Sequence, residues 1–222
     1  SDPAKDNDSS YQYFEDGVLV VTNGLVEQVG PASEVLATLP STVDVKQHNN
    51  SLLMPGFIDT HIHYPQTEII GSYGEQLLEW LDNYTFPMEA QFGDIAFAKP
   101  RAQFFLDQLM ANGTTTALVF GSVHPESVDA FFEQAQAMNV RMICGKVMMD
   151  RNAPDDLCDT AQTSFADSQE LIDQWHNNGR QLYAVTPRFA ITSTAEQLEK
   201  AGQLIKDNPS VYMQTHLSEN LD

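Results

Sequence analysis

The stretch "MPGFIDTHIHYPQ", residues 54–66, joins a short apolar run to two histidines separated by one residue. Side chains alternate along a strand, so His61 and His63 share one face while Ile62 takes the other. Two imidazoles at that spacing can share a metal ion. They can equally be polar residues closing a strand end, hydrogen-bonded to backbone. What surrounds the pair separates the two readings.

Pro55 marks a change of pattern. Before it, "GVLVVTNGLVEQVGP" (17–31) alternates apolar residues around Asn23-Gly24, a strong hairpin signal. "VDVKQHNNSLLMPG" (43–56) predicts one or two further strands, making a small β layer too short to stand alone. After Pro55, strand and helix alternate. Apolar strands are predicted at 56–61, 114–121, 140–149, 182–188 and 211–217, with helices over 95–112, 126–139, 167–179 and 194–208. Strands joined by crossover helices make a parallel sheet. Both a doubly wound sheet and part of a (β/α)8 barrel fit this order.

A barrel places its chemistry at the carboxyl ends of its strands. The predicted strands end in His61 and His63, in Ser122 and His124, in Asp150 and Arg151, in Arg188 and Phe189, and in His216, Ser218 and Glu219. Titratable residues thus collect on one rim. A catalytic zinc takes three N or O ligands and keeps a place for water, whose pKa it lowers from 15.7 to about 7. His61, His63 and His216 supply three nitrogens from two strand ends. Glu219, three residues past His216, is placed to carry a proton, or to cap the first turn of a following helix. Arg188 can donate to a carbonyl oxygen, Phe189 can stack on a planar ring, and Gln66 can read a heterocycle edge. Their plainer readings are a rim ion-pair partner, a core aromatic and a polar loop residue. His48 reads as solvated, His176 as a surface residue and His124 as part of a loop.

The composition is that of a folded chain, 42% hydrophobic with 12 Phe and 2 Trp. Its 31 acidic residues against 11 basic ones give a net charge of −20, which repels nucleic acids and anionic lipid as partners but not a neutral base. Cys144 and Cys158 cannot build a disulfide framework, and Cys144 reads as a core residue. With no signal peptide and no long apolar span, the expected location is cytoplasmic. HExxH, phosphate-loop and dinucleotide motifs are absent, as is the H-x-E…P-C-x-x-C pattern of the small cytidine-type deaminases.

"PGFIDTHIH" after a small β layer resembles the opening of the metal-dependent amidohydrolase superfamily. "HIHYPQ", "YGEQLLEWLDNYTFPME", "NGTTTALVFG", "GKVMMDRNAP", "VTPRFA" and "THLSEN" occur in an order similar to that of its guanine deaminase family, from about Phe14 onward. The resemblance implies a (β/α)8 TIM-type barrel, with about five β/α units in residues 55–222 and residues 1–54 as part of a small β-sandwich domain. It implies hydrolytic deamination of guanine to xanthine and ammonia at one divalent metal, zinc or iron(II), in a cytoplasmic homodimer. His61, His63 and His216 would be the ligands. His63, Gln66, Arg188, Phe189, His216 and Glu219 would bind the purine, with His216 and Glu219 catalytic and Glu219 moving a proton to the ring nitrogen. Lys146 sits on the third strand rather than the fourth, so it reads as structural and a single metal is expected. The family's sixth-strand histidine and eighth-strand aspartate have no counterpart here, and the 222 residues alone are expected to be inactive. The rival readings are another one-metal amidohydrolase acting on a different heterocycle, and a non-catalytic scaffold of the same fold.

Overall fold

The protein is described here by a computed structural model covering residues 11–74 and 76–218. It divides into two compact units, Ser1–Leu53 and Met54–Asp222. In the first, β1 (Gly17–Thr22) and β2 (Leu25–Pro31) form the predicted antiparallel hairpin. Asn23 and Gly24 turn it with φ of 53° and 78°, conformations those two residue types adopt at least cost. Residues 43–56, predicted to hold further strands, form no ladder among the described residues. Alternation is not sufficient: an extended segment becomes a strand only when a neighbour takes its backbone N–H and C=O groups.

The second unit is built on a six-stranded sheet: β3 (Phe57–His63), β4 (Thr114–Phe120), β5 (Arg141–Gly145), β6 (Val147–Met148), β7 (Leu182–Pro187) and β8 (Tyr212–Met213). Every pairing in it is parallel. β5 and β6 both pair with β7, so they act as one strand interrupted at Lys146. Helices α1 (Ile95–Ala111), α2 (Pro125–Ala137), α3 (Ala161–Trp175) and α4 (Ala195–Asp207) make the crossovers, giving the half-barrel that strand–helix alternation allows. The sheet's outer face and the helices enclose a core that includes Val119, Phe131, Cys144 and Val185, with Ile62 packed against it. Gly145 is required by this packing, because a Cβ there would run into the carbonyl of Ala184 on β7.

Two predicted elements differ in extent. Helix α3 begins at Ala161, not 167, because Thr160 caps it. The Thr160 and Thr163 side chains each accept from the other's backbone N–H, so Thr163 performs the task of the Glu or Gln that usually marks a capping box. The helix ends at Trp175. There His176, read as a surface residue, is instead a half-buried strut whose Nδ1 accepts from Tyr183 N–H of β7 at 3.0 Å. The fifth predicted strand, 211–217, is regular only over Tyr212–Met213. Beyond it the chain still follows β7, with Gln214 N–H donating to Val185 O at 3.1 Å and His216 N–H to Arg188 O at 2.9 Å.

Lys146 is structural. It is fully buried and forms an ion pair with Asp159, whose Oδ2 also accepts from Ser164 Oγ at 2.8 Å. Asp159→Asn leaves that ammonium without a counter-charge. Urea unfolding of the variant is expected to show a loss of about 3–5 kcal/mol, against about 1 kcal/mol for Ser164→Ala.

Candidate metal centre and pocket

At the end of β3 the ladder with β4 slips by one residue between Asp59 and Ile62. Asp59 Oδ1 accepts from His61 N–H across this irregularity at 3.0 Å. Ile62 turns to the core, while His61 and His63 turn to the opposite side, as the period of two predicts. There they meet His216, far along the chain. One ligand atom from each of the three imidazoles lies within 4.8 Å of the others. His63 Nε2 and His216 Nε2 are 3.0 Å apart.

These rings rest on Phe120, the last residue of β4. Phe120 stacks on His63 with centroids 4.3 Å apart and an interplanar angle of 13°, and lies 4.6 Å from His216 and 4.9 Å from His61. The Arg188 carbonyl takes His216 Nδ1 at 2.8 Å. A carbonyl only accepts, so Nδ1 carries the proton and Nε2 presents its lone pair toward His63. Burial, then the charges of Arg188, His216 and His61, push the His63 pKa well below its ordinary value. His63 is therefore neutral, the form that ligates a metal. This donor set fits one divalent ion of the zinc type. Two nitrogens each about 2.0–2.1 Å from one ion can lie 3.0 Å apart, and the backbone hold on His216 is the outer-shell support that ligating histidines use.

Beside the cluster opens a cavity of about 160 Å³. Gln66 and Arg188 form its polar side, and Leu77, Trp80, Leu81 and Phe189 its apolar side. The three apolar residues 77, 80 and 81 come from a helical segment that runs from Leu77 to Glu89 and widens into a π-helical turn over Leu81–Thr85. Trp80 Nε1 donates to Ser72 O at 3.1 Å, which holds its ring at the wall. Arg188 is only 2% exposed. Its Nη1 donates to Glu89 Oε2 at 2.6 Å, its guanidinium lies 5.5 Å from the Phe86 ring centre, and Glu89 is itself fully buried. Gln66 Nε2 donates to the other oxygen, Glu89 Oε1, at 3.2 Å.

Of the residues singled out from sequence, His61, His63, Gln66, Arg188, Phe189 and His216 thus gather at one cavity. Glu219 lies outside the described residues. His48 is exposed, as read. Asp150 turns to backbone duty, accepting from Thr194 N–H at 2.7 Å at the start of α4. Ser122 donates to Glu89 O at 2.8 Å, and His124 is the N-cap of α2. Reading the sequence missed Glu89, Phe120 and Trp80. Glu89 sits in a helix and Arg188 at a strand end, 99 residues apart, with no local pattern to pair them. The only trace is a carboxylate standing in the apolar context of Phe86 and Met88.

A parallel half-barrel with a histidine cluster and a pocket on its carboxyl rim is the arrangement shared by metal-dependent barrel proteins. Residues 52–222 match the model of the amidohydrolase family, and the chain belongs to that family. It is 54% identical over 214 residues to guanine deaminase of Escherichia coli (strain K12), covering 96% of this chain and 49% of that protein. The solved structure of E. coli guanine deaminase superposes with a TM-score of 0.93 at 53% identity, covering 98% of this chain and 50% of that one. Guanine deaminase from C. acetobutylicum with bound guanine in the active site superposes with a TM-score of 0.86 at 30% identity, over 96% and 51% of the two chains. The chain spans about half the length of the curated relatives it matches.

If the three imidazoles form one site, His216→Ala and His61→Ala each lower the metal content of purified protein from near one equivalent toward zero, by plasma emission analysis. Phe120→Leu, which removes only the ring floor, is expected to retain metal more weakly, with a chelator half-time shortened by about tenfold.

Proposed function

We propose that the protein containing this chain is a guanine deaminase, hydrolysing guanine to xanthine and ammonia in the cytoplasm, with one zinc ion or iron(II) and two identical subunits. The observation that carries this reading is the convergence of His61, His63 and His216 beside a pocket whose polar side is Arg188 and Gln66. The relatives named guanine deaminase at 53–54% identity support the choice of purine. No helix among the described residues is long and apolar enough to cross a membrane.

His61, His63 and His216 would hold the ion, which when bound would act as a Lewis acid and make a water reactive near neutral pH. Everything else falls to the chain's own groups. Phe189 and Trp80 form flat apolar walls for a planar ring, and water excluded from that slot strengthens each polar contact within it. One Nη of Arg188 is committed to Glu89, and the remaining N–H groups of the fork are available to a ring carbonyl oxygen. That contact stabilises negative charge developing on the purine as the carbon bearing the amino group turns tetrahedral. Gln66 fixes the ring's rotation within its plane. Glu219 takes one proton from the attacking water and gives it to the ring nitrogen. The proton of the new hydroxyl then passes to the amino group, and as the C–N bond breaks ammonia leaves and the carbonyl forms. In net terms guanine and water give xanthine and ammonia.

The test measures ammonia release and the ultraviolet change for guanine, adenine, cytosine and 8-oxoguanine with the complete, metal-loaded protein. Guanine is expected to be turned over fastest, and His61→Ala to abolish the reaction. Full activity in His61→Ala sinks the metal assignment. Turnover of another heterocycle with guanine left intact sinks the choice of substrate.

A further inference from the structure

Glu89 has no place in the chemistry described above, yet it is among the most heavily engaged side chains near the pocket. It is a fully buried carboxylate, and its two oxygens accept from two different residues of the same wall. Oε2 takes Arg188 Nη1 at 2.6 Å and Oε1 takes Gln66 Nε2 at 3.2 Å. Its own main chain is fixed as well, since Ser122 Oγ donates to its carbonyl at 2.8 Å.

An amide side chain can present either end, and its orientation follows from its partner. An ionised carboxylate only accepts, so Gln66 must turn its NH2 toward Glu89 and its carbonyl oxygen away. The same carboxylate holds the Arg188 fork in one plane by a charge-assisted hydrogen bond. We propose that Glu89 is a positioning residue that sets both polar readers of the pocket at once. It fixes the fork of Arg188 and the amide sense of Gln66, and so decides which donor and acceptor pattern a heterocycle must show to be held. Glu89 need not touch the substrate itself. The inference rests on the pocket's being a purine site.

The test is a double-mutant cycle in the complete, metal-loaded protein: Glu89→Gln, Gln66→Ala, and both together. Glu89→Gln keeps shape and size, but it removes the charge and allows the amide of Gln66 to face either way. Its kcat/KM for guanine is expected to fall by about tenfold or more, mainly through a higher KM, with metal content unchanged. In the Gln66→Ala background the same change is expected to cost several-fold less, because one of the two groups that Glu89 orients is gone. Equal losses in both backgrounds, or kcat/KM within about twofold of wild type, overturn the proposal. If Glu89→Gln does not bind metal, Glu89→Asp replaces it in the cycle under the same criteria, since it keeps the charge. If neither variant binds metal, Glu89 acts in folding and the positioning role is overturned. A wild-type protein that leaves guanine intact overturns the purine reading and this inference with it. A guanine-active wild type with additive losses overturns this inference alone.

Discussion

The ion pair between Glu89 and Arg188 joins the parts of the site into one body. Removing both charges from water costs several kcal/mol for each ion, and only good geometry with full use of the hydrogen-bonding capacity offsets that cost. The geometry here is of that kind. Arg188 is held by Glu89 and faces Phe86, while Glu89 also takes Gln66. The pair therefore clamps the helical segment ending at Glu89 onto the end of β7. The connection continues through the backbone, because the Arg188 carbonyl receives both the N–H and the ring Nδ1 of His216. Ser122, Glu89, Arg188, His216 and His63 form a continuous chain of contacts from a loop after β4 to the histidine cluster.

Around that chain the half-barrel separates structural from chemical tasks. Strand bodies such as Ala117–Val119 and Tyr183–Val185 are wholly or partly buried and give the sheet its rigidity. The carboxyl ends carry the polar groups, where a rigid sheet can hold them at fixed separations. The two buried ion pairs among the described residues divide in the same way. Lys146 with Asp159 braces the break between β5 and β6, whereas Glu89 backs Arg188, which lines the cavity.

The alternation of strands and helices was legible from hydrophobic period, caps and turn residues, all of them local signals. That order left a doubly wound sheet open beside a barrel, and the barrel was what the family resemblance implied. Errors arose where a local signal needed a distant partner or had an unusual substitute. The segment 43–56 has strand-like alternation but no ladder, and α3 starts early because Thr163 does the work of an acid or amide. His176 read as a surface residue, yet its ring is tied to β7.

By itself the sequence determined that His61 and His63 leave one face of a strand, since that follows from a period of two. It also determined that His216, Arg188 and Phe189 stand at strand ends, since apolar runs stop there. Only the tertiary structure decided that these ends converge, because parallel crossovers bring residues 153 apart in the chain to 3.0 Å. It alone showed Phe120 beneath the rings and Glu89 behind Arg188. Both rest on contacts between elements distant in sequence, and no spacing rule within one element encodes them.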